Sequence, residues 1–81
     1  MKYTVITYEP GFPGSDETQG QGLGKREALK LWFSLRRKYL SDRENNPSYG
    51  EIEGDGEVVF NGHFGAHQDF FQATEIMAEH C

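Results

Sequence analysis

The chain has 81 residues, eight Lys and Arg against thirteen Asp and Glu, and a formal net charge of −5. So short a chain buries only about 60–65% of its unfolded surface, which leaves room for one domain (1–81) around one modest core. The single cysteine is Cys81, so no internal disulfide can form, and no stretch is apolar enough to cross a membrane.

Lys2 to Tyr8 reads as a strand, rich in β-branched and aromatic residues, with apolar side chains on both faces. Residues 9–24 (EPGFPGSDETQGQGLG) hold two prolines and five glycines and are expected to be irregular. Phe12 is the one large apolar side chain of that segment besides Leu23.

Lys25 to Leu40 carries Ala28, Leu31, Trp32, Leu35 and Tyr39 at helical spacing. Leu29, Phe33 and Leu40 widen the apolar arc to roughly 200° at 100° per residue. An arc so wide is expected to need a second helix or a partner over Leu29, Phe33 and Leu40. Tyr49 to Asn61 (YGEIE–GDG–EVVFN) predicts a β-hairpin on a three-residue turn. Gly62 to Ala66 reads as a connector, and the stretch from His67 or Asp69 to His80 as a second helix. The expected fold is α+β, in the order β-α-β-β-α: a small antiparallel three-stranded sheet, the long helix across one face and a short C-terminal helix.

Charge is distributed unevenly. Every Lys and Arg lies at or before Arg43, while Glu44 to Cys81 holds eight carboxylates and no permanent cation. Ordinary surfaces mix signs, so a one-sided half is informative about partners. Glu51 and Glu53 lie two apart on a strand, hence on one face, about 6.6 Å apart along it. Asp55 and Glu57 are expected to extend that row, and Glu75 and Glu79 to repeat it on the C-terminal helix. Tyr49, with Phe64 and Phe12, is an aromatic candidate for anchoring a contact.

Other chemistries fit less well. Glu51, Glu53, Asp55 and Gly56 imitate half of an EF-hand loop, but position twelve falls on Gly62. His63, His67, His80 and Cys81 are too scattered for a firm zinc site. Gly24-Lys25 lacks the glycine five positions earlier that a phosphate loop requires, and Arg26 replaces its Ser/Thr. No nucleophile has a supporting base in context, so no enzyme, metal or cofactor is expected.

In length, compactness, acidity and lack of catalytic groups, the chain resembles small phage-encoded anti-CRISPR inhibitors, including those that act as DNA mimics. The resemblance covers the profile of the whole chain and rests on no motif. It implies an acidic viral protein, acting in the host cytoplasm, whose carboxylates occupy the groove of a basic nucleic-acid-binding protein. The start MKYTVITYEPG, with no run resembling a signal peptide, agrees with a cytoplasmic expectation. Two alternatives belong to other classes. One is a nucleic-acid-binding module using Arg26, Lys30 and Arg37 of helix 25–40; the other is a structural or adaptor domain associating through the helix's excess apolar surface.

Overall fold

The computed structural model describes residues 2–66. They form a four-stranded antiparallel sheet and one helix, an α+β arrangement. The strands are β1 (Tyr3–Tyr8), β2 (Glu17–Leu23), β3 (Tyr49–Gly54) and β4 (Glu57–His63), and the helix α1 (Lys25–Ser41) lies between β2 and β3 in the chain. Strand order is β2-β1-β3-β4, so β1 and β3 form the middle of the sheet and β2 and β4 its edges. The expected C-terminal helix, with Glu75 and Glu79, lies outside the described residues.

The sheet has one strand more than the sequence predicts, because Glu17–Leu23 pairs with β1 instead of staying irregular. Its ETQGQGL sequence lacks strand propensity, but an edge strand needs only one neighbour to bond with. Its glycines have a structural use. A Cβ on Gly20 would come 2.8 Å from Leu31 Cδ2, so the bare backbone there admits the helix side chain. Gly22 takes φ 69°, close to a register shift opposite Tyr3 and Val5.

The β3–β4 hairpin also departs from the expected three-residue turn. The loop is two residues, Asp55 and Gly56, with φ 52° and 79°. Two consecutive positive φ values are those of a type I′ turn, whose twist matches the flanking strands. The ladder is irregular between Ile52 and Glu53, where Val59 is the extra residue. The strand then takes in Gly62 and His63 of the expected connector, and Phe64 to Ala66 stay outside it.

α1 packs across β1, β3 and β2. Ala28, Leu29, Trp32 and Tyr39 are its buried residues. They meet Tyr3, Val5, Ile52, Val59, Phe60 and Phe64 in one cluster. Trp32 is the centre: Phe33, Phe60 and Phe64 each approach its ring at 4.9 Å, edge-on or tilted. Leu29 is 1% exposed and belongs to the core cluster. Phe33 and Leu40 stay half-buried at the margin of the core. At the helix start the Glu27 carboxylate accepts the Gly24 N–H at 3.4 Å. None of the described helices is long and apolar enough to cross a membrane.

Candidate functional site: the sheet face opposite the helix

Strand alternation decides which residues reach each face. On β3, Gly50, Ile52 and Gly54 are buried toward α1, while Tyr49, Glu51 and Glu53 point the other way and are only half-buried. Register then assembles three rows on that second face. Tyr8, Tyr49 and His63 form one; Thr18, Ile6, Glu51 and Asn61 the next; Thr4, Glu53 and Val58 the third.

The first row is aromatic. Tyr8 and Tyr49 rings lie 5.4 Å apart, and His63 stands perpendicular to Tyr49 at 5.5 Å. His63 also meets the Tyr39 ring edge-on at 5.7 Å, and its Nδ1 accepts the Gly65 N–H at 2.8 Å. That bond fixes the acceptor nitrogen and leaves Nε2 as the donor in the neutral ring.

Carboxylates crowd the centre. Burial raises the Glu51 pKa above the usual glutamate range, and the charges of Glu53 and Asp16, with a side-chain hydrogen bond to Glu53, raise it further. All four influences act in one direction, and no cation is among them. The Tyr8 hydroxyl is raised as well, by burial first and then by Glu51, Tyr49 and Asp16. Asp16, immediately before β2, is thus one of the charges that act on both Tyr8 and Glu51.

The predicted row of acids is thus divided. Glu51 and Glu53 share the face, as their spacing requires, and Tyr49 stands beside them. Asp55 is exposed at the tip of the type I′ turn. Glu57 pairs with Gly54, so its side chain belongs to the helix side of the sheet. Asp16, Tyr8 and His63 are members that sequence reasoning missed. Two of them enter only through pairings of β1, with β2 for Asp16 and with β3 for Tyr8; His63 enters through the length of β4.

The basic residues of α1 lie elsewhere. Arg26, Lys30 and Arg37 are exposed on the helix, away from its buried stripe. Arg36 turns aside and donates to the Ala66 carbonyl at 3.4 Å, and the Arg43 guanidinium sits 5.5 Å from the centre of the Tyr39 ring. The Glu51–Glu53 pair and the helix cations Arg26, Lys30 and Arg37 therefore lie on opposite sides of the sheet. Among them, no group of three or more His, Cys, Asp or Glu is gathered so as to hold a metal ion. No protein-family model, curated protein or solved structure matches this chain.

Proposed function

We propose that this chain is a small acidic protein-binding inhibitor that imitates nucleic acid. Its target is the DNA- or RNA-binding groove of a basic protein, with a bacterial CRISPR effector as the specific proposal. The observation that carries this reading is the pairing of Glu51 and Glu53 on one face beside the Tyr8–Tyr49–His63 row, with Asp16 adding its charge and no cation among the influences on Glu51. Like charges this close oppose folding, so their retention on one face suits a surface whose neutralisation comes from elsewhere. Lys and Arg side chains that normally hold phosphates would supply it. The flanking aromatic rings add contact area at small entropic cost, as rigid side chains do at binding hot spots. Approach to a basic groove is accelerated by the acidic field and slowed by salt.

The test uses reconstituted CRISPR effector complexes of several types, each assayed for retention of its target DNA in the presence of this protein. Inhibition of at least one complex is expected. D16N/E51Q/E53Q should weaken that inhibition by about a hundredfold, in line with the roughly 1–3 kcal/mol that desolvated charged contacts contribute. Equal potency of parent and triple variant, or inhibition of none of the complexes, would reject the reading.

A further inference from the structure

Phe12 is 69% exposed, the most exposed large apolar side chain among the described residues. It stands in the segment joining β1 to β2, flanked by Gly11 and Pro13. An exposed apolar side chain is ordinary on a floppy loop. This loop is fastened at both ends. The Phe12 N–H donates to the Glu9 carbonyl and the Ser15 N–H to the Phe12 carbonyl, each at 3.2 Å. The Ser15 hydroxyl closes the base, accepting the Glu9 N–H at 3.0 Å and donating to the Glu9 carbonyl at 3.2 Å.

The base is tied in turn to the rest of the fold. The Glu9 carboxylate accepts the Ser48 N–H at 2.6 Å and the Ser48 hydroxyl at 2.8 Å, across 39 residues of chain. Gly11 and Gly14, at φ 87° and 82°, supply the two left-handed residues that the tight path requires. Pro10 and Pro13 fix two more dihedrals. The outcome is a preorganised loop that displays one phenyl ring to solvent. Ordering a side chain on binding costs about 0.5–1.5 kcal/mol, and a fastened loop has met much of the backbone part of that cost before contact.

Position gives the ring a context. Phe12 shares a shallow concavity with Tyr8, Pro10, Pro13 and Asp16. Tyr8 begins the aromatic row, and Asp16 belongs to the carboxyl group that also acts on Glu51. The apolar finger therefore continues the acidic face.

We infer that Phe12 is the anchor of that face, and that it enters an apolar socket bordered by Lys or Arg in a protein's nucleic-acid groove. Grooves of this type keep aromatic or apolar platforms for bases beside the cations that hold phosphates. A phenyl ring next to carboxylates has the same order of features as a base next to its backbone. The inference rests on the inhibitor reading above and adds to it the chemistry of the socket.

The experiment uses the full chain and whichever effector complex it inhibits, with F12A and F12W compared against D16N/E51Q/E53Q. Because the ring is exposed, F12A should leave the melting temperature unchanged. Its inhibition should nevertheless fall by about tenfold or more, as truncated aromatic anchors do, while F12W stays close to the parent. If F12A inhibits as well as the parent while the carboxyl variant fails, the anchor assignment is wrong and the inhibitor reading stands. Should F12A and F12W fail equally with unaltered melting, the socket is not a general apolar one and the inference falls. Inhibition of no complex by the parent overturns both.

Discussion

Gly50 shows how closely this core is drawn. A Cβ at that position would lie 2.3 Å from Phe64 Cζ and 2.8 Å from Trp32 Nε1. Neither ring can retreat, since both are fully buried among other core residues. Gly50→Ala is therefore expected to lower stability by about 1–3 kcal/mol through overpacking, read as a lower urea midpoint. An unchanged midpoint would mean that the aromatic cluster repacks freely. Glu51, one residue along, has the opposite character. Its folded pKa is raised, so the folded chain holds its proton more tightly than the unfolded one. The unfavourable contribution is complete above the raised value and disappears as pH falls through it toward the ordinary glutamate range. Glu51→Gln should accordingly be more stable than the parent at neutral pH, with the difference closing in acid. A gap that stays constant between neutral and acidic urea titrations would contradict the charge argument.

Among the elements, the β1–β2 connection is tied to the rest of the fold through Glu9 and Ser48. Ser48 is 9% exposed, and the Glu9 carboxylate takes both its N–H and its hydroxyl. Glu9→Ala leaves two nearly buried donors unmet, which should cost about 1–3 kcal/mol and speed amide exchange in the 9–16 segment. Unaltered exchange there would show that the loop holds itself. Legibility from sequence divides along the same lines. α1 was readable because Ala28, Trp32 and Tyr39 repeat at helical spacing, and β1 and the β3–β4 hairpin because alternation and Asp55-Gly56 state them locally. β2 was not, because ETQGQGL owes its strand to the neighbouring β1 and to the room that Gly20 gives Leu31. The candidate face followed the same rule. Glu51 and Glu53 were visible as a strand spacing and Tyr49 as their neighbour, whereas Asp16, Tyr8 and His63 join them only once strand order is known. Glu57 falls on the other face because the two-residue turn pairs it with Gly54, where a three-residue loop would have set it opposite Glu53.

At the scale of the molecule, one cluster of acids and one stripe of bases lie on opposite sides of the sheet. Arg26, Lys30 and Arg37 occupy the outer surface of α1, and Asp16, Glu51 and Glu53 the far side of the sheet. A charge arranged in this way should act as a patch and not as an average. D16N/E51Q/E53Q and a scattered triple, E44Q/D55N/E57Q, remove the same formal charge. On a quaternary-ammonium resin the clustered variant should elute at clearly lower salt than the scattered one. Coincident elution would show that net charge alone governs the molecule's encounters.

Trp32 is the chain's sole tryptophan, and it has no solvent exposure and no hydrogen-bond partner for Nε1 among the described residues. An indole so enclosed is a built-in optical gauge, emitting at short wavelength while the core is intact and shifting red once water reaches it. It lies beneath Gly50, on the side of β3 turned away from Glu51, so a ligand settling on the carboxylates leaves its colour unchanged. One emission spectrum per variant thereby separates a protein that has lost its shape from one that has lost only its grip.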